Sequence, residues 1–130
     1  MPAMKVVRAS MLLLVLGAAA CASPPNEVRS QPVRFSMTVP ASWDRAGACL
    51  SAFYTTGGYQ SAYLPAASDR RAEIVVKEAA AGPLSPTGTI LYVFEVTGGD
   101  QTTVTYRERP GLGNGSERQA RETTARCGKA

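Results

Sequence analysis

The sequence predicts a two-layer α+β domain: an antiparallel sheet of four to five strands, with an early helix and a C-terminal helix packed on one face. Three observations predict it. Short segments of period-two alternation recur between residues 32 and 109. Two segments of helical spacing lie among them, one after the first strand and one at the C-terminus. Short Gly/Pro connections of the kind that join antiparallel neighbours separate the remaining segments.

The first strand is "PVRFSMTVP", which sets Val33, Phe35, Met37 and Val39 on one face and Arg34, Ser36 and Thr38 on the other. Pro40 stops it and opens the next element, since proline suits the first helical position. In "ASWDRAGACLSAFYTT" the residues Trp43, Ala46, Leu50 and Phe53 recur at helical spacing, with Cys49 on the same side. Asp44 in the first turn complements the helix dipole, and Gly57-Gly58 ends the run. Gly47 lowers helix propensity by about 1 kcal/mol relative to alanine, unless a close approach to the sheet requires it.

"YQSAYLP" is a short strand ending at Pro65, and "RRAEIVVKE" is a stronger one, with Ile74 and Val76 opposite Glu73 and Lys77. A Pro/Gly connection spans Ala79 to Gly88. "TILYVFEVT" is almost continuously apolar, the mark of a central strand, with Glu95 expected on its solvated side. "GGD" has hairpin chemistry, and "QTTVTYRER" returns with Val104 and Tyr106 facing inward. After "PGLGNG", Ser116 followed by Gln119 fits a capping box. Glu117–Arg121, Arg118–Glu122 and Glu122–Arg126 are four-spaced ion pairs along that helix. Its inner stripe is Ala120, Thr124 and Cys127, and Gly128 is its expected C-cap.

Ahead of this domain, residues 1–20 have the three-part layout of a secretory signal. Lys5 and Arg8 form the basic start, "MLLLVLGAAA" is the apolar run, and Ala18 to Ala20 are small. The run is shorter than the roughly 20 apolar residues that a spanning helix needs. "GAAAC" resembles the lipobox of bacterial lipoproteins. The family's lipid-bearing cysteine matches Cys21, and its small positions match Ala19 and Ala20; Ala18 stands where the family usually has leucine. The resemblance implies lipidation at Cys21, which would become the mature N-terminus. Since Ala22 is not aspartate, it also implies sorting to the outer membrane, on its periplasmic side. A soluble periplasmic product cut after Ala20 is the alternative. Residues 21–31, rich in Pro, Ser and Asn, then read as a tether, and 32–128 as a single domain.

Three cysteines leave one odd in an exported protein. If lipid consumes Cys21, then Cys49 and Cys127 remain as an even pair suited to a disulfide in an oxidising compartment; two separately buried thiols are the alternative. No C-x-x-C spacing suggests redox chemistry.

Composition narrows the function classes. The chain has 130 residues, a net charge of +4 and no histidine. Missing histidine removes the Ser-His-Asp and Cys-His constellations and every His-based zinc site. No cofactor or metal site is expected. Lys5 and Arg8 are the only charges before Cys21, so a chain starting there carries +2. Its arginines alternate with glutamates in "SERQARETTAR", unlike the clustered basic face of nucleic-acid binders.

"GLGNG" lacks the parallel strand, glycine spacing and lysine of a phosphate loop, and reads as a connection. Asp69, Arg70 and Arg71 form a charged corner that a protein partner can dock on. The element order is also similar to that of helix-grip domains in envelope lipoproteins such as the BamC subunit of the outer-membrane assembly machinery, a likeness of order alone. The expected function is a non-enzymatic, lipid-anchored accessory or protein-interaction module of the cell envelope. The alternative is a small-ligand-binding domain whose cavity lies between helix and sheet, where Ala46, Ala48, Ala52 and Ala120 leave room.

Overall fold

The computed structural model of the chain describes residues 28–79 and 89–130. Cys21, the signal segment and most of the Ala79–Gly88 connection lie outside these residues. The elements run β1 (Phe35–Val39), α1 (Trp43–Thr56), β2 (Gln60–Ala66), β3 (Arg71–Lys77), β4 (Ile90–Thr97), β5 (Thr102–Glu108) and α2 (Asn114–Cys127). The five strands form one open antiparallel sheet in the order β1-β5-β4-β3-β2, so the first strand lies beside the last. Helix α1 packs over β2, β3 and β4, and α2 packs against α1, β1 and β5.

Strand alternation and register together explain the core. One row of paired residues crosses all five strands: Tyr63, Ile74, Phe94, Tyr106 and Phe35. A second row runs through Pro65, Ala72, Val96, Val104 and Met37. Both rows face the helices, because successive strand residues point to opposite sides. Ile74, Val76, Phe94, Val96, Val104 and Tyr106 are fully buried there. Gly47 lets α1 settle on these rows: a Cβ on it would stand 2.8 Å from the Tyr63 ring and 3.6 Å from Ala72 and Ile74. The glycine that weakens the helix is what seats it.

Several details differ from the sequence reading. Val33 precedes β1 and is 44% exposed, because the ladder begins at Phe35. The buried stripe of α1 is Ala46, Gly47, Leu50 and Tyr54, rotated from the expected Trp43–Phe53 line. Ala48 and Ala52 face solvent, while Ala46 and Ala120 are buried, and the Tyr54 ring packs against Tyr92 and Phe94 beneath α1. Helix α2 starts two residues before Ser116, at Asn114 with Gly113 as N-cap, and no side chain caps it. Ser116 therefore lies inside the helix, where it meets Tyr92, instead of closing a capping box.

The Cys49–Cys127 disulfide is present, with Cα atoms 5.5 Å apart, and ties α1 to the end of α2. Beyond it, Gly128 donates its N–H to Thr124 O and accepts the Ala41 N–H. Its missing side chain leaves room for Val39. Of the four-spaced pairs expected on α2, Glu117–Arg121 forms, at 3.3 Å. Arg121 and Arg126 also lie over the Phe35 and Phe53 rings, at 4.7 and 5.4 Å.

The face without helices is not bare. Val75 and Val93, paired across β3 and β4, are 3% and 2% exposed. Residues 28–34 run across this side. Val28 is buried, Arg29 donates to both carboxylate oxygens of Glu73, and Arg107 donates to Gln31 O at 3.1 Å. Arg34 N–H then joins Tyr106 O at 2.8 Å, leading into β1. The tether expected over 21–31 thus has its last four residues packed on the domain.

Candidate functional site

Two places follow from the residues singled out above, the charged corner and the disulfide described with the fold; a third, an aromatic and polar end of the core, was overlooked in the sequence reading.

The corner is a single 3₁₀ turn, Ala67–Asp69, followed by Arg70 in the left-handed conformation at φ 51°. A non-glycine residue there is uncommon. It is held because Arg70 O accepts the Gly98 N–H at 2.6 Å, while its guanidinium donates to Gly99 O at 3.3 Å. A Cβ on Gly98 would reach within 2.6 Å of the Trp43 ring and 3.1 Å of Arg70 O. Arg71 pairs with Glu95 on the helix-free face, and Arg107 approaches the same carboxylate at 4.0 Å. Glu95 is therefore on the sheet's solvated side, as its place in β4 predicts. Asp69 lines a shallow groove of about 350 Å³ with Leu64, Ala66, Arg71, Ala72, Glu73 and Glu95. Both corner arginines thus serve contacts within the chain.

The polar end arises from one sheet row. Ser61, Val76, Tyr92 and Glu108 are paired across β2 to β5 and face the helices. Three of the four are polar, so each needs a partner under the helices. Ser61 Oγ donates to Ser51 O at 2.8 Å and lies 2.7 Å from the hydroxyls of Ser51 and Thr55 on α1. Tyr92 donates to Ser116 Oγ on α2 over 3.5 Å. Glu108, 5% exposed, accepts from Tyr106 at 3.2 Å and pairs with Arg34 at 2.9 Å. Arg34 bridges onward to Glu117 at 3.2 Å.

Tyr54 enters this end from α1. Its ring centroid lies 5.6 Å from both Tyr92 and Phe94 and 5.7 Å from Tyr59. Its hydroxyl is buried and has no hydrogen-bond partner. Burial pushes the Tyr54 phenol well above its usual range, and the nearby Tyr92 and Tyr59 add to this. Tyr106 is pushed up as well, by burial first and then by the charge of Glu108. Above these rings, between the end of α1 and α2, a cleft of about 330 Å³ is lined by Phe53, Tyr54, Thr56, Gly57, Tyr59 and Gln119. An aromatic floor with a few amide and hydroxyl groups suits a small neutral ligand.

Sequence reasoning missed Tyr54 because Phe53 and Tyr54 are adjacent and only one of them can face inward. The signal was present in the four-residue steps from Ala46 to Leu50 to Tyr54. Among the described residues, no group of three or more His, Cys, Asp and Glu side chains converges as a metal site would require. None of the described helices is long and apolar enough to cross a membrane. Comparison with known proteins finds no matching family model, no matching curated protein and no matching solved structure.

Proposed function

We propose that this chain is a lipid-anchored lipoprotein of the outer membrane, facing the periplasm, and acts there as a non-enzymatic accessory or protein-interaction module. The observation that carries the reading is the partnering of the cysteines. With Cys49 bonded to Cys127, Cys21 is the one cysteine left without a disulfide partner in the chain, and it follows "GAAA" directly. A disulfide belongs to an oxidising compartment, which agrees with export, and the odd thiol sits where a lipobox has its modified cysteine. The likeness in element order to helix-grip envelope domains favours the same class of role.

Globomycin, which inhibits the lipoprotein signal peptidase, accumulates a precursor if this reading holds, and radiolabelled palmitate enters the wild-type chain but not Cys21→Ser. Unchanged processing with no label at Cys21 overturns the anchor. A pull-down from solubilised membranes, scored against Cys21→Ser, recovers an envelope partner; recovery of nothing beyond that control overturns the interaction module.

A second reading, a small-ligand-binding domain, is favoured by the cleft between α1 and α2 that Phe53, Tyr54, Tyr59 and Gln119 line. Native mass spectrometry of the domain released from envelopes reports on it. An adduct that disappears in Tyr54→Phe supports ligand binding, and a bare mass argues against it.

A further inference from the structure

We infer that the helix-free face of the sheet is the surface this domain turns toward the lipid bilayer, so that the two helices and the tyrosine-floored cleft point away from the membrane. This rests on the lipid-anchor reading and extends it from attachment to orientation.

The argument starts where the chain leaves the domain. Val28 is buried, and the segment behind it is pinned on the helix-free face at two strands. Arg29 is held by Glu73 of β3 through its Nε at 3.0 and 3.1 Å and a terminal nitrogen at 2.5 Å. Gln31 O is held by Arg107 of β5. Between those points lies β4, with Val93 and Glu95 on the same face. The strap is thus docked across the middle of the sheet and does not hang from its edge.

The remaining tether is short. Val28 is seven positions beyond Cys21, and at full extension those seven steps reach about 24 Å. Were the strap free, the leash would run the fourteen steps from Cys21 to Phe35, with a reach of about 48 Å. A small domain pulled from within one face, at β3, by a short leash presents that face to its anchor point. The chemistry of the face is compatible with headgroups. Beside the strap it carries Ser36, Thr38, Thr103 and Thr105 on β1 and β5, and arginines 29, 71 and 107 against two carboxylates, Glu73 and Glu95. Such a surface meets anionic lipid without repulsion and needs no insertion.

The test uses the processed chain beginning at Cys21, anchored in phospholipid nanodiscs containing a gadolinium-chelating lipid. Coupling the Cys21 thiol to a maleimide phospholipid supplies the anchor whether or not the cell does, so failure of native lipidation and failure of the orientation are told apart. Amide relaxation enhancement is read by NMR. The expected result is enhancement at Thr103 and Thr105 at least fivefold greater than at Arg118 and Glu122 on the exposed side of α2. In Val28→Ser/Arg29→Ala, which frees the strap, that ratio falls to within twofold of unity, and the amides of Gln31 and Arg34 exchange at least tenfold faster while Phe94 is unchanged. The charge-reversed pair Arg29→Glu/Glu73→Arg restores slow exchange if the ion pair is the latch. Equal enhancement on both faces of the wild-type domain, or greater enhancement on α2, overturns the inference.

Discussion

Tyr54 shows how much one side chain can separate packing from hydrogen bonding. Its ring sits among Phe53, Tyr59, Tyr92 and Phe94, all with centroids within 5.7 Å, while its hydroxyl is buried and unpaired. An unsatisfied buried hydroxyl costs about 1–3 kcal/mol, and removing it without changing the ring restores part of that. Tyr54→Phe is therefore expected to leave the urea midpoint unchanged or raise stability by up to about 1 kcal/mol. Tyr106→Phe removes a made bond to Glu108 and is expected to cost about 1 kcal/mol. A clear loss of stability in Tyr54→Phe would mean that its hydroxyl is bonded in solution.

The same two residues contribute to the alkaline limit. Burial raises the phenol pKa of both in the folded state, whereas the unfolded chain ionises them near pH 10. Their contribution is fully present below about pH 10 and is lost as pH rises further, because the unfolded state then releases protons that the folded state retains. Absorbance at 295 nm should show Tyr54 and Tyr106 ionising together with unfolding above about pH 10, and independent early ionisation of both would contradict their burial.

Among the elements, α2 depends most on covalent help. Its buried positions are Ala120, Thr123, Thr124 and Cys127, an inner face with little apolar surface. The disulfide closes a separation of 78 residues, and the chain-entropy model gives such a loop roughly 4 kcal/mol, reduced by any native strain. Cys49→Ser/Cys127→Ser should lose up to that amount in urea unfolding, with α2 amides becoming the first to exchange. A loss below about 1 kcal/mol would show that side-chain contacts alone hold α2.

The strands show what alternation reveals. Period two identified Phe35, Met37, Ile74, Val76, Val104 and Tyr106 as one-sided, and they do share the helix-facing side. It did not reveal that the Ser61–Val76–Tyr92–Glu108 row forms, because pairing depends on strand order and register, which residues distant in sequence set jointly. Ser116 and Gln119 matched a capping box by type and spacing. The glycines at 111 and 113, with φ of 90° and 78°, instead deliver the chain so that the helix starts earlier.

At the scale of the whole molecule, the proposed anchor and the domain are expected to be separable. Cys21 lies seven positions before Val28, where the described residues begin. Cys21→Ser is accordingly expected to move the protein from the membrane to the soluble fraction while leaving its melting temperature within about 1 °C, since the exchange touches none of the described core contacts. Fractionation with a thermal melt on the released protein checks both halves, and a large drop in melting temperature would mean that residues before Val28 belong to the domain.

The sequence by itself determined the α+β class, the faces of most strands and the position of both helices, because these follow from local periodicity and turn chemistry; it pointed to Cys49 and Cys127 as a pair only once Cys21 was set aside for lipid, and the structure shows that bond. Only the tertiary structure decided that β1 lies beside β5, that Tyr54 and not Phe53 fills the core, that Arg70 and Arg71 are tied to Gly99 and Glu95, and that residues 28–31 bind the helix-free face. Each of those depends on which distant surfaces meet, and a side chain's partners are set by the three-dimensional register of the sheet, which no local pattern encodes.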